Sequence, residues 1–148
     1  MNSVYPYAKK QFLAGAIKWP IDKFKVALLR TDRTYGYKVD LENDLVMADI
    51  QPSAIIAISE PLVTSICAGA ADADDITFLG VDKKNPGDII SAMIIYQDTG
   101  NRHSDTLIAY IGDCFTNKPI IPDTGDILIT WDNGPYKVFL LPHEQELI

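Results

Sequence analysis

Apolar residues in this chain fall into short runs divided by turn-forming residues, and only one early segment has helical spacing. In residues 5–17, Ala8, Phe12 and Gly15 or Ala16 recur at intervals of three and four, which makes one stripe on a short helix. Gly15 is a stop for that helix, and Pro20 prevents its continuation. Residues 24–29 predict a first strand, 31–40 with Tyr35-Gly36-Tyr37 a loop, and 45–50 one helical turn before Pro52. From residue 54 the texture is β. Strands are expected over 54–59 and 62–68, parted by Glu60-Pro61, then over 76–81, 89–97 and 106–111. In 89–97 both alternating sets are apolar, Ile90/Ala92/Ile94/Tyr96 and Ile89/Met93/Ile95, the mark of a central strand covered on both faces.

After a Pro-rich connector at 117–123, the closing stretch reads as a hairpin. Ile127, Ile129 and Trp131 share one face of its first strand, and Leu128, Thr130 and Asp132 the other. Asn133-Gly134 supplies the pair that a type I′ turn needs. Pro135 has no N–H, so the usual closing hydrogen bond to the Asp132 carbonyl is excluded, and a shifted turn is expected.

About eight short strands with few helices predict a mainly β fold. The expected architecture is an antiparallel β-sandwich or jelly-roll-like barrel, with a short N-terminal helix and a C-terminal β-hairpin. One β-rich domain is expected over 1–148, with a helical arm at 1–20 and a tail at 142–148.

The net charge of -7 disfavours nucleic acid as a partner, because such binding depends on neutralising phosphates. No apolar run reaches the roughly 18 residues that span a bilayer, so no membrane partner is expected. The N-terminus lacks a basic region followed by an apolar core, and no secretory signal is predicted. Charge is uneven: Lys9, Lys10, Lys18, Lys23, Lys25, Arg30 and Arg33 gather in the first quarter. They form either a solvated helix face or a surface for an acidic partner. Cys67 and Cys114 each sit in an apolar run and are expected as reduced, buried small hydrophobes, with no disulfide needed.

Candidate chemistry is thin. His103-Ser104-Asp105 lists the members of a triad, but neighbours in sequence are not thereby arranged in space, and a solvated turn is expected. Asp72, Asp74 and Asp75 lack the spacing of a calcium loop and are expected as a charged loop guarding a strand edge. Two isolated cysteines do not make a zinc site, and no glycine pattern cradles a phosphate. Asp123 and Asp126 are carboxylates in turns. No catalytic residue, cofactor or metal is therefore predicted. Trp131 is expected in the core. Trp19 is either a staple fixing the helix to the β body or an anchor in a partner.

Several segments, taken in order, carry a resemblance. They are Ala8-Lys9-Lys10-Gln11-Phe12-Leu13-Ala14-Gly15-Ala16-Ile17, Phe24-Lys25-Val26-Ala27-Leu28-Leu29 and Ala70-Ala71-Asp72-Ala73-Asp74-Asp75-Ile76-Thr77-Phe78, then Ile94-Ile95-Tyr96-Gln97-Asp98-Thr99-Gly100, Leu107-Ile108-Ala109-Tyr110-Ile111 and Trp131-Asp132-Asn133-Gly134. Together they resemble a family of small structural proteins of tailed bacteriophages, of the head decoration or cement type. The chain departs from that pattern at Pro135 and in the tail from Pro142. The resemblance implies a virion component without enzymatic activity, made in the host cytoplasm and bound to the major capsid protein on the outer capsid surface. It also implies self-association, with a homotrimer expected. The contacts expected to face the capsid are Lys9, Lys10, Lys18 and Trp19. The rival expectation is a tail or baseplate part that binds a receptor or glycan through loop aromatics, for which Tyr35 and Tyr37 are the candidates.

Overall fold

The computed structural model describes residues 1–32, 34–67, 69–131 and 138–139. A strand β1 (Asn2–Val4) leads into helix α1 (Pro6–Leu13). Eight further strands follow: β2 (Phe24–Leu29), β3 (Ile55–Ile58), β4 (Thr64–Cys67), β5 (Ala70–Ala73), β6 (Ile76–Phe78), β7 (Ala92–Gln97), β8 (Leu107–Ile111) and β9 (Ile127–Ile129). The fold is mainly β. Five strands form one antiparallel sheet in the order β1-β8-β7-β2-β3, and two ribbons, β4-β5 and β6-β9, stand beside it. The sheets are open in the manner of a sandwich, and among the described residues no strand closes them into a barrel.

The sequence order of apolar residues explains the centre. Strands β2 and β7 pair from Phe24 opposite Gln97 to Leu29 opposite Ala92, and β8 lies on the far side of β7. Alternation puts Val4, Ala109, Ile95, Val26 and Phe24 on one face, and Tyr110, Ile94 and Ala27 on the other. Both faces are buried, as the doubly apolar pattern of residues 89–97 requires. Over the first face, the rings of Trp19 and Phe24 lie 4.5 Å apart, and Phe139 and then Phe12 of α1 extend the cluster. Over the second face lies the loop of residues 31–50. Its Tyr37 ring sits 6.1 Å from Tyr110, and its Val46 bridges to Thr106 beside β8.

Helix α1 stops at Leu13, earlier than the expected residue 17, and Gly15 then takes a left-handed φ of 75°. Strand β1 is absent from the sequence expectation, and its three residues are recruited by β8 alone. Residues 70–73, expected within a loop, are a strand paired with β4. The expected helical turn at 45–50 is a single 3-10 turn over Met47–Asp49. Strand β9 does carry Ile127 and Ile129 inward and Leu128 outward, but it pairs with β6. The Asn133-Gly134 turn, Pro135 and the tail at 142–148 lie outside the described residues.

Candidate functional site

The surface most suited to a partner lies where α1, the turn after it and the β4-β5 ribbon meet. The chain turns sharply behind Gly15, so Ile17 and Trp19 fold back against the first sheet face and are buried. The indole Nε1–H of Trp19 donates to the carbonyl oxygens of Ser65 at 2.8 Å and Asp72 at 3.1 Å, one on each strand of the ribbon. The hydroxyl of Thr64 adds a bond to the carbonyl of Pro20. These bonds hold the ribbon away from the sheet at a fixed spacing. They leave a groove of about 410 Å³ whose walls include Phe12, Ile17, Trp19, Ile66, Ala71 and Phe139. Its mouth carries Ile21 and Ile66, which are 77% and 60% exposed.

Among the described residues, Lys18 is the charged residue of this groove, and no carboxylate lines it. Nearby Asp22 turns its carboxylate onto the backbone N–H of Lys18 at 2.8 Å. Of the expected contacts, Lys18 and Trp19 thus meet at one site. Lys9 stands one helical turn before Phe12 and shares its side of α1, whereas Lys10 is exposed and points away from the buried Ala8. Trp19 is the staple rather than a free anchor: its ring is buried and its N–H is already used.

Other expectations are corrected. Arg30 does not belong to a solvated basic face. It is buried, and its guanidinium donates to Asp88 and Asp32, which raises its pKa through the Asp32 bond first. Arg33 lies outside the described residues. Cys67 and Cys114 are free and exposed rather than buried, because each lies on an uncovered side of its segment. Tyr37 is not a loop aromatic open to a ligand. Its hydroxyl lies 2.8 Å from that of Tyr5 and donates to Asp44, inside the second face, while Tyr35 is exposed. The Asp72–Asp75 segment serves through its backbone as much as its charge. Its carbonyls accept from both tryptophans, Trp131 bonding to Asp74 at 3.0 Å, and Asp75 accepts the Trp131 backbone N–H. Trp131 is buried, as expected.

His103 is exposed in the turn before β8. The neighbouring Asp105 is buried and spends its carboxylate on the backbone N–H and hydroxyl of Thr99, so the three consecutive residues form a turn and not a catalytic array. Among the described residues, no group of three or more His, Cys, Asp or Glu is placed to hold a metal ion. No described helix is long and apolar enough to cross a membrane. A second groove runs between the outer edge of β3 and β6, lined by Ile58, Glu60, Leu79, Asp82 and Lys84 among others. Its charges are mixed, so it favours no single ligand class. No protein-family model, curated protein or solved structure matches the chain.

Proposed function

We propose that the chain is a bacteriophage virion protein that decorates the outer capsid surface and stabilises the shell by bridging capsid subunits, as a trimer. The virion assignment comes from the resemblance of the sequence segments described above. One structural observation supports a docking role: an apolar groove on a braced β body, with Ile21 and Ile66 uncovered at its mouth. Large exposed aliphatic side chains grouped at one concavity are characteristic of a protein-binding surface. The acidic composition suits the outer face of a shell better than the inner face, which meets packaged DNA. Contacts that exist only in the assembled shell stabilise that shell by mass action. Many copies together need only a modest interface each.

The test is location. Labelled protein is mixed with intact virions, separated heads and separated tails, and the particles are imaged. Regular decoration of heads is the expected result and reveals the symmetry position. Labelling confined to the tail tip overturns the proposal.

A further inference from the structure

Tyr35 stands in the loop that covers the second sheet face, with 53% of its surface exposed. Its backbone N–H donates to the Asp32 carboxylate at 3.2 Å, and its carbonyl accepts from the Ser53 hydroxyl, also at 3.2 Å. The next carbonyl, that of Gly36, accepts from the Gln51 side-chain amide at 2.6 Å. The ring lies against a buried cation: the guanidinium carbon of Arg30 is 5.4 Å from its centroid, and Asp32 and Asp88 fix and neutralise that guanidinium. One face of the ring meets Arg30, and the exposed area belongs to the rest. A ring held this way loses little freedom when a ligand stacks on it. The side chains beside it, Asp32, Thr34, Gln51 and Ser53, are exposed and polar. Their bonds to the loop use part of what they offer. An ionised carboxylate has about four acceptor sites, a primary amide two donors and an acceptor oxygen, and a hydroxyl accepts as well as donates.

We infer that Tyr35 is the stacking platform of a carbohydrate site, which takes one pyranose ring of a neutral glycan. A pyranose has a C–H face and a rim of hydroxyls. It needs a flat aromatic surface bordered by hydrogen-bonding groups, which is the arrangement around Tyr35. The C–H face packs on the open face of the ring, and the hydroxyls bond to Asp32, Gln51 and Ser53. A protein partner would instead want apolar neighbours around its aromatic anchor, of the kind that Ile21 and Ile66 supply at the groove. The Asp32 carboxylate and the net charge of -7 select against sialylated or sulfated sugars. The groove lies over the first sheet face and Tyr35 over the second, so a chain docked through the groove holds Tyr35 outward. The inference does not rest on the shell reading. Its test requires no virion, so the two fail separately.

The test uses the full chain and the methyl glycosides of glucose, galactose, mannose, N-acetylglucosamine and N-acetylgalactosamine. The methyl glycoside of sialic acid and a sulfated galactoside are the anionic counterparts. Amide NMR titration gives affinity and location, and saturation transfer reports which sugar protons touch the protein. The expected result is saturable binding of at least one neutral glycoside, with shifts at the amides of Tyr35, Gly36 and Ser53 and the strongest transfer at ring C–H protons. Tyr35→Ala weakens that binding by about tenfold or more, and Tyr35→Trp keeps or tightens it. Both leave the circular dichroism spectrum unchanged, because the side chain is exposed. Asp32→Asn weakens binding by about threefold or more through loss of a charged acceptor. No saturable binding of any neutral glycoside, tighter binding of the anionic sugars, shifts centred elsewhere, or full affinity in Tyr35→Ala overturns the inference. Tyr35 signals that move with protein concentration alone, together with a rising mass in light scattering, identify a second copy as the partner of the ring and overturn it as well.

Discussion

The indole of Trp19 donates to the carbonyl oxygen of Ser65 at 2.8 Å, across 46 positions of sequence, and so ties the turn after α1 to the β4-β5 ribbon. The same ring lies against Phe24 on the central sheet. One side chain thus fixes three elements, and its packing and its hydrogen bonds are separable by substitution. Trp19→Phe keeps a ring over Phe24 and removes the donor, at an expected cost of about 1–2 kcal/mol. Trp19→Ala also opens a cavity and is expected to cost about 3–5 kcal/mol. Urea unfolding midpoints check the order. Equal losses would show that packing contributes little here.

Four buried tyrosines set the response to alkali. Burial raises the pKa of Tyr37, and the bonds to Asp44 and Tyr5 raise it further. Burial also raises Tyr5 and Tyr110, and pushes Tyr96 up to about 12, with Asp98 and Asp105 adding to it. A folded pKa above the unfolded value of about 10 means that the fold favours the neutral phenol. That contribution is complete below pH about 10 and is lost as pH rises through the folded values. Phenolate absorbance from these residues is expected to appear above the ordinary tyrosine range, in one step with loss of the β signal in circular dichroism. Their ionisation near pH 10 in a still-folded protein would contradict the arrangement.

Both cysteines are exposed, so both are expected to react with a disulfide reagent in the native protein, without denaturant. Partial desolvation by its neighbours, with the Asp113 charge adding to it, raises the thiol pKa of the exposed Cys114, so its rate is expected to climb with pH beyond the ordinary thiol range. Cys67→Ser and Cys114→Ser should each change stability by less than about 1 kcal/mol, as surface substitutions do. A thiol that reacts only after unfolding would restore the buried reading.

The contrast between residues 89–97 and residues 64–73 shows what the sequence carries in legible form. Strand β7 lies at the centre of the sheet, so its environment is symmetric and both apolar faces advertise it. Trp131 was legible for a similar reason, since its alternation with Ile127 and Ile129 matches the inward side of β9. Among the described residues, the β4-β5 ribbon has only two strands. Its successive residues Ile66 and Cys67 are both exposed, so no alternation of apolar and polar positions marks β4, and Asp72 lies in β5 with its backbone carbonyl accepting from Trp19. The groove was half legible: a basic segment ending in Trp19 marked one wall, but Ile66, Ala71 and Phe139 come from distant positions and carry no local signal. Tyr37 looked like a loop residue because its partners, Tyr5 and Tyr110, are close only in space.

Gly36 has a different kind of constraint. A Cβ built there would lie 2.2 Å from the backbone nitrogen of Asp32, inside the turn that precedes Tyr37. Backbone cannot yield as a flexible side chain does, so Gly36→Ala must displace the turn and with it the Tyr37 ring. The expected loss is about 1–3 kcal/mol, typical of overpacking. Thermal unfolding should show it, while Gly100→Ala meets no atom within 4 Å and is disfavoured only by its φ of 87°. Equal behaviour of the two variants would mean that the turn at Asp32 is free to move.

Arg30 separates a buried ion pair from an exposed one on the same guanidinium. Asp88 is nearly inaccessible, and its carboxylate also accepts the backbone N–H groups of Lys84 at 2.8 Å and Asn85 at 3.0 Å. Asp32 lies on the other side, with its side chain 41% exposed, and the Arg30 bond holds its carboxyl below the ordinary range. Water screens the second pair, so Asp32→Ala should cost no more than about 1 kcal/mol. Asp88→Ala removes a partner from a buried cation and leaves two N–H groups of the turn unsatisfied, and roughly 3–5 kcal/mol is expected. Arg30→Met removes the cation while Asp88 keeps its two N–H donors. Combining it with Asp88→Ala should therefore cost less than the sum of the two single changes. Unfolding midpoints of the four variants test this. Additive losses, or a larger effect from Asp32 than from Asp88, would show that the buried pair does not hold the 84–88 turn against β2.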